Sequence, residues 1–188
     1  MIKAIIFDCF GVLTNDGWKA LREEYCTTKE LQDAAHDLDI AVNSGFMSNA
    51  EFVSRVASLF GLNREEVEHK FDTRHTNTVL FSFIESTLKP KYKIGLLSNA
   101  AYNMLDELFL PEQVALFDAV TLSCDLGIVK PDERIYADIV AKLNLTAEEC
   151  LFTDDVERYC TAARDAGMKA ITYESFSQFE RDLQELLQ

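Results

Sequence analysis

The chain has 188 residues and a formal net charge of −14, and 48% of its residues are hydrophobic. This length suits one domain, or a core with a modest insertion, and the hydrophobic content is sufficient for a buried core. A strongly acidic chain is repelled by nucleic acid and by anionic membrane surfaces, so we expect neither as a partner. No stretch is long enough to cross a bilayer, and nothing in the sequence requires more than a monomer.

The five cysteines are Cys9, Cys26, Cys124, Cys150 and Cys160, and no two of them have CxxC spacing. An odd number without that spacing argues against a disulfide framework and against a structural zinc site. Free cysteines are typical of a reducing compartment. We therefore predict a cytoplasmic protein.

The first predicted element is a strand over residues 2–7, where an apolar run rich in isoleucine ends at Asp8. Such a run is typical of a buried strand in a parallel sheet. In open α/β sheets, ligands bind at the carboxyl ends of the strands. Asp8 is therefore the first candidate for a functional side chain.

Residues 15–82 have a different character, with several helical patterns and no convincing strand. Ser48 and Asn63 are each followed three residues later by glutamate, which is the pattern of a capping box at a helix N-terminus. We therefore predict a helical cap over residues 15–82, inserted in a core that consists of residues 1–14 and 83–188.

Beyond about residue 79, predicted helices and strands alternate. The predicted strands cover residues 93–97, 119–123, 150–153 and 169–173. The predicted helices cover residues 79–88, 102–109, 131–143, 162–166 and 176–187. Strands that alternate with helices form a parallel sheet with helices on both faces. The sequence therefore predicts an α/β fold with a doubly wound parallel sheet.

Polar side chains follow the predicted strands at the points where the chain leaves the sheet. They are Asp8, Ser98, Asn99, Lys130, Asp154 and Asp155. The carboxyl ends of parallel strands share one edge of the sheet, so we expect these residues to converge. Three carboxylates with one lysine would repel one another unless a cation joined them. Oxygen ligands favour a hard cation such as Mg²⁺, and Asp8 would then be a candidate nucleophile.

Four segments carry a resemblance to a known family. In chain order they read FDCFGVLT, LLSNA, GIVKPDERIY and LFTDDVERYCTAARDAGMKAITY. Their order and spacing resemble those of the haloacid dehalogenase (HAD) superfamily over essentially the whole chain. The resemblance implies a HAD-type Rossmann-like core with a helical cap inserted after the first segment.

The resemblance also implies residue roles. Asp8 would be the nucleophile and a metal ligand, the backbone carbonyl of Phe10 a second ligand, and Asp154 a third ligand of Mg²⁺. Asp155 would be a ligand through water or a brace for Lys130.

Three further residues would act on the phosphoryl group by the same resemblance. Ser98 and the Asn99 amide would bind its oxygens, and Lys130 would neutralise its charge. The implied substrate is a small phosphorylated metabolite.

Phe10 departs from the family pattern. Phosphatase members carry an aspartate there, which protonates the leaving oxygen and later activates water. General acid–base help is typically worth about 10²–10⁴-fold, and phenylalanine supplies none. We therefore expect weak hydrolysis of ordinary phosphomonoesters, whereas an acyl phosphate needs no proton on its leaving group.

Two alternatives stay open beside this Mg²⁺-dependent phosphohydrolase. The metal-free 2-haloacid dehalogenases of the superfamily carry an aromatic residue at the position of Phe10, but they generally lack the paired acids Asp154 and Asp155. A catalytically silent binding or regulatory protein is the second alternative. Val156 stands where many relatives have serine or a similar polar residue, and Tyr159 stands where some have asparagine. Both departures weaken the case for an intact metal shell.

Other residues of the insertion have simpler interpretations. Trp18 is interpreted as a packing contact near the hinge, although a place in the pocket is the alternative. Arg22 has a surface salt bridge as its default and a substrate-carboxylate anchor as its functional alternative. His36, His69 and His75 are predicted to be solvated helix positions, because none has metal-ligand spacing with another.

Overall fold

Five parallel strands form one sheet in the computed structural model, which describes residues 1–71 and 75–187. The strands are β1 Ala4–Phe7, β2 Lys93–Ser98, β3 Ala119–Leu122, β4 Cys150–Asp154 and β5 Lys169–Thr172. Their order is β3-β2-β1-β4-β5, and every neighbouring pair is parallel. The predicted α/β class with a doubly wound sheet is confirmed. The strand order reverses beside β1, which is where ligands bind in such sheets.

Helices surround this sheet and fill the segment after β1. They are α1 Gly17–Tyr25, α2 Lys29–Asn43, α3 Asn49–Phe60, α4 Arg64–Lys70, α5 Thr78–Phe83, α6 Leu105–Leu108, α7 Pro111–Val114, α8 Ser123–Leu126, α9 Glu133–Leu143, α10 Glu157–Asp165 and α11 Phe176–Leu187. A π-helical turn over Ile84–Leu88 continues α5, and a 3-10 turn over Ala147–Glu149 precedes β4. None of the helices in the described ranges is long and apolar enough to cross a membrane.

Apolar side chains cover both faces of the sheet. On one face, Phe7 of β1 packs edge-on against Phe179 of α11, with ring centroids 5.8 Å apart. On the other face, Ile6 packs in a cluster with Ile139 of α9. Because successive side chains of a strand point to opposite faces, β1 is buried on both sides. The strand therefore holds Asp8, the next residue, at a fixed place on the sheet edge.

Helices α1–α4 pack around a third apolar cluster of their own. Its buried members are Leu21, Val42, Phe52, Val53, Val56, Ala57 and Val67. Both predicted helix starts are confirmed: Ser48 Oγ accepts a hydrogen bond from the Glu51 N–H at 3.2 Å, and Asn63 and Glu66 form a reciprocal capping box. Local side-chain bonds therefore define where α3 and α4 begin.

The chain leaves and re-enters the sheet region at neighbouring points. Thr14 forms isolated bridges with Phe10 and Thr76, and the Asn77 N–H donates to the Leu13 carbonyl at 2.9 Å. The boundary predicted after residue 82 falls inside α5, whose residue Leu80 packs in the same apolar cluster as Phe7. The division into a core and a cap remains a prediction.

Three predicted helices have other bounds in the structure. The helix predicted over 102–109 is only Leu105–Leu108, and the Asn103 side chain accepts from the Leu105 N–H where it begins. The helix predicted from Pro131 begins at Glu133, because Asp132 is the capping residue and accepts from the Arg134 N–H. The helix predicted over 162–166 begins earlier, at Glu157.

Candidate active site

Asp8 lies at the carboxyl end of β1 and is only 6% exposed. Its backbone N–H donates to the Thr153 carbonyl of β4 at 2.9 Å, and its Oδ1 accepts from the Cys9 N–H at 2.7 Å. Burial raises the pKa of Asp8 well above its usual range, the charge of Asp154 adds to this, and Lys130 opposes it. The predicted position of this carboxylate at the sheet edge is confirmed.

Lys130 joins two of the predicted acids. Its Nζ lies 2.9 Å from Asp8 Oδ1 and 2.5 Å from Asp154 Oδ2, and the side chain is 1% exposed. Burial lowers the pKa of Lys130, but the charges of Asp154 and Asp8 outweigh burial, so the pKa lies above its usual range. The ammonium group therefore compensates two carboxylates that would otherwise be buried with like charge.

The backbone around Lys130 is fixed by Asn99. Asn99 Oδ1 accepts from the Lys130 N–H at 2.8 Å, and Asn99 Nδ2 lies 3.4 Å from the Lys130 carbonyl. The Lys130 Nζ also lies 4.9 Å from the centroid of the Tyr159 ring. The side chain of Asn99 thus ties the loop after β2 to the loop that carries the lysine.

The paired acids at the carboxyl end of β4 have different partners. Asp154 is fully buried, and its Oδ1 accepts from the Val156 N–H at 2.8 Å. Asp155 instead accepts from Lys19 Nζ of α1 at 2.7 Å. The suggested role of Asp155 as a brace for Lys130 is wrong for this structure, because Asp154 occupies that place. The contact with Lys19 was missed, since no sequence pattern relates residues so far apart.

One oxygen from each of Asp8, Asp154 and Asp155 can be chosen so that all three lie within 4.8 Å of one another. Such a donor set fits a hard divalent cation, because its charge would offset the repulsion among three carboxylates. Gly11 lets the first loop approach this group: its φ is +82°, and a Cβ there would lie 2.5 Å from Asp155 Cγ. Only glycine suits both the conformation and the space.

Ser98 is the last residue of β2 and Asn99 follows it, but the two side chains are placed differently. Asn99 lines the cavity above the sheet edge, whereas Ser98 is 1% exposed and its Oγ lies 3.4 Å from the Asn99 carbonyl. The next residue, Ala100, donates its N–H to Ser123 Oγ at 2.9 Å, and that hydroxyl donates to the Asn43 carbonyl at 2.5 Å. Ser123 therefore links the loop after β2 to the end of α2.

A cavity of about 590 Å³ opens above Asp8 between the sheet edge and the helices α1–α3. Phe10 is partly buried and lines this cavity, with its ring in contact with the apolar core. A volume of this size is within the range of roughly 300–1,000 Å³ that is usual for small-molecule sites. Phe10 therefore presents an aromatic ring to the cavity.

Four residues of the opposite wall were not assigned to the site as the first interpretation, although the pocket was the alternative for Trp18 and a substrate anchor was the alternative for Arg22. Trp18, Arg22, His36 and Asp39 all line the cavity. The surface salt bridge expected for Arg22 is wrong, and His36 lies at the cavity mouth although it is exposed, as predicted. The spacing of Trp18 and Arg22, four residues apart on α1, was the available signal that they share a helix face.

Known proteins resemble this chain over nearly all of its length. A family model described as haloacid dehalogenase-like hydrolase matches residues 2–167. Phosphatase MT3486 of Mycobacterium tuberculosis is 28% identical over 90% of this chain and 86% of its own length. Drimenol cyclase drtB of Aspergillus calidoustus is 24% identical over 97% of this chain, which spans only 36% of that enzyme.

A solved structure also resembles this chain over its whole length. The solved structure of a protein described as a predicted HAD-like family hydrolase from Porphyromonas gingivalis is 25% identical, with a TM-score of 0.75 over 100% of this chain and 98% of that one. The parallel sheet and the acids at its edge agree with the family match. The chain therefore belongs to the haloacid dehalogenase-like hydrolases.

Proposed function

We propose that this protein is a Mg²⁺-dependent phosphohydrolase that acts through Asp8 on small phosphorylated compounds whose leaving group departs without a proton. The observation that carries the proposal is the arrangement at the cavity floor. Asp8 and Asp154 share the buried Lys130, and the ring of Phe10 occupies the neighbouring position. This arrangement keeps a nucleophile and charge compensation, and Phe10 supplies no proton-transfer group at its position.

Lys130 orients the nucleophile. Lys130 Nζ and the Cys9 N–H both contact Oδ1 of Asp8, and no hydrogen bond or ion pair within the described ranges involves Oδ2. Oδ2 is therefore the oxygen that would attack phosphorus. The attack forms the bond from Oδ2 to phosphorus while the bond from phosphorus to the leaving oxygen breaks. With an acyl phosphate, the leaving group takes the electron pair as a carboxylate.

The metal would be held by Asp8, Asp154 and the carbonyl of Phe10, with Asp155 bound directly or through water. When bound, Mg²⁺ supplies positive charge beside the phosphoryl oxygens. Asn99 at the cavity wall and Ser98 below it would bind those oxygens, and Lys130 would neutralise part of their charge. Water would then attack the phosphorus of the aspartyl phosphate while the bond from phosphorus to Oδ2 of Asp8 breaks, which releases inorganic phosphate and the free carboxylate. This step is slow, because Phe10 cannot activate water.

The test compares two substrates in the presence of Mg²⁺. We expect acetyl phosphate to be hydrolysed much faster than glucose 6-phosphate, because only the sugar alkoxide needs a proton as it leaves. The measurement is release of acetate or glucose in the first turnover, because release of phosphate from either substrate passes through the same slow hydrolysis at Asp8. Equal rates on both substrates would contradict the role assigned to Phe10, and Asp8→Asn should abolish both reactions.

Release of halide from a 2-haloacid is the second candidate function, and Phe10 is the observation that favours it. Halide leaves without a proton, so an aromatic residue is no handicap. Release of chloride from 2-chloropropionate that persists in the presence of a chelator would replace the first proposal. If no compound is turned over but Mg²⁺ or phosphate raises the melting temperature, the silent binding role is favoured.

A further inference from the structure

Two buried nitrogen atoms on the wall opposite Asp8 have no hydrogen-bond partner. They are the indole Nε1 of Trp18 and Nε of Arg22; within residues 1–71 and 75–187 neither atom makes a hydrogen bond, although the carboxylate of Asp39 lies near both side chains. Nearly all buried polar atoms in folded proteins have a partner, so two unpaired donors on one cavity wall call for an explanation. Both residues line the cavity that opens above Asp8.

The two donors are held in a fixed relation to each other. The guanidinium carbon of Arg22 lies 5.5 Å from the centroid of the Trp18 ring. That ring packs edge-on against Phe52 at 5.2 Å and against Phe71 at 6.1 Å. The aromatic contacts fix the indole, and the indole positions the guanidinium group. The two donors are therefore held in place on the cavity wall, although neither makes a hydrogen bond with the described residues.

Asp39 adds an acceptor to the same wall. Its Oδ1 accepts from Asn43 Nδ2 at 2.9 Å, and the Asn43 carbonyl in turn accepts from Ser123 Oγ. Burial raises the pKa of Asp39, while Arg22 and the indole N–H of Trp18 lower it, although the indole makes no hydrogen bond of normal geometry. The N–H donors of Trp18 and Arg22 and the carboxylate acceptor of Asp39 thus lie on the same wall of the cavity.

The charge of the cavity decides what kind of group this wall accepts. The lining carries five carboxylates against three cationic side chains: Asp8, Asp16, Asp39, Glu107 and Asp155 against Arg22, Lys130 and Arg158. A second anionic group on the substrate would add to this excess of negative charge. A hydroxyl group is neutral, accepts from a donor and donates to a carboxylate.

We propose that Trp18, Arg22 and Asp39 form a subsite for a neutral hydroxylated part of the substrate, at the end of the cavity opposite Asp8. The hydroxyl oxygen accepts from the indole and guanidinium N–H groups, and the hydroxyl hydrogen is donated to Asp39. The binding of the substrate's phosphate group at Asp8 rests on the proposed function. The hydroxyl subsite rests only on the unpaired N–H groups of Trp18 and Arg22.

Trp18 itself reports on binding, since it is the single tryptophan of the chain. The experiment titrates the Mg²⁺-loaded protein with three matched four-carbon ligands: erythritol 4-phosphate, butyl phosphate and 4-phosphoerythronate. Each is expected to turn over slowly, and Kd is read from tryptophan fluorescence. We expect erythritol 4-phosphate to bind about tenfold more tightly than butyl phosphate, and 4-phosphoerythronate to bind less tightly than erythritol 4-phosphate.

Matched variants assign the effect to the subsite. Arg22→Met should reduce the advantage of erythritol 4-phosphate over butyl phosphate to about twofold or less. Arg55→Met should leave it intact, because Arg55 is an exposed arginine of α3 that pairs with Glu51. Melting curves of both variants check that the fold is kept. The comparison of ligands on the unmodified protein does not depend on any variant.

Two results would overturn the subsite. One is equal affinity for erythritol 4-phosphate and butyl phosphate. The other is that 4-phosphoerythronate binds most tightly of the three ligands and loses this advantage in Arg22→Met, which would make Arg22 a carboxylate anchor. Inorganic phosphate with Mg²⁺ tests the phosphate end separately. If it does not bind, the proposed function fails, and erythritol alone decides the subsite: fluorescence quenching that Arg22→Met removes supports it, and no quenching refutes it.

Discussion

Replacing Lys130 by methionine would leave two buried carboxylates without their shared cation. Asp8 is 6% exposed and Asp154 is fully buried, and the Lys130 Nζ lies within 2.9 Å of an oxygen of each. Breaking a buried ion pair by removing one partner costs about 3–5 kcal/mol of unfolding free energy. For a protein of this length, that loss lowers the melting temperature by roughly 6–20 °C.

Urea unfolding followed by circular dichroism measures this loss, and Lys29→Met is the matched control. Lys29 pairs with Asp33 at 2.6 Å, but its side chain is 75% exposed, so its removal should cost less than about 1 kcal/mol. Adding Asp154→Asn to Lys130→Met should recover part of the loss, because one buried negative charge is removed. The reasoning is refuted if Lys130→Met costs no more than Lys29→Met.

The remaining predictions concern single loops. Phe10→Asp should raise turnover of glucose 6-phosphate by at least about tenfold, because it restores an acid, whereas Phe10→Asn should not; equal gains would show that size rather than acidity matters. Gly11→Ala should lower the unfolding free energy by more than about 1 kcal/mol in urea melts, because of the φ of +82° and the contact with Asp155; an unchanged midpoint would contradict this. Ser123→Ala should cost about 1–3 kcal/mol, because the Ala100 N–H and the Asn43 carbonyl both lose their partner; a neutral result in the same assay would mean that other groups replace the hydroxyl.

The sheet edge was predictable because its signals are local. Each of Asp8, Ser98 and Asp154 stands at or directly after an apolar run, and the geometry of a parallel sheet brings such positions together whatever the rest of the chain does. The position of Lys130 was also predictable, although this residue does not directly follow a strand, because its loop comes after β3, the neighbour of β2. The fold class and the floor of the cavity could therefore be predicted.

The wall opposite Asp8 was not predictable in this way. Arg22 and Asp39 lie on two different helices, and their shared cavity depends on how α1 and α2 pack against each other. Helical periodicity reports which face of a helix is apolar but not which neighbour that face meets. The partner of Asp155 illustrates the same limit: Lys19 lies 136 positions away in the sequence, and only tertiary structure brings it to 2.7 Å.

The depth at which Lys130 lies also makes this one amine a reporter on motion. Amine-reactive reagents attack neutral, accessible amines, and the Lys130 side chain is 1% exposed with its pKa held above the usual range. Exposed lysines such as Lys29 should be acylated promptly, whereas Lys130 should be acylated only when its ion pairs with Asp8 and Asp154 break. The rate at which mass spectrometry detects label on Lys130 would therefore measure how often this buried cluster opens, with Lys29 in the same sample as the reference.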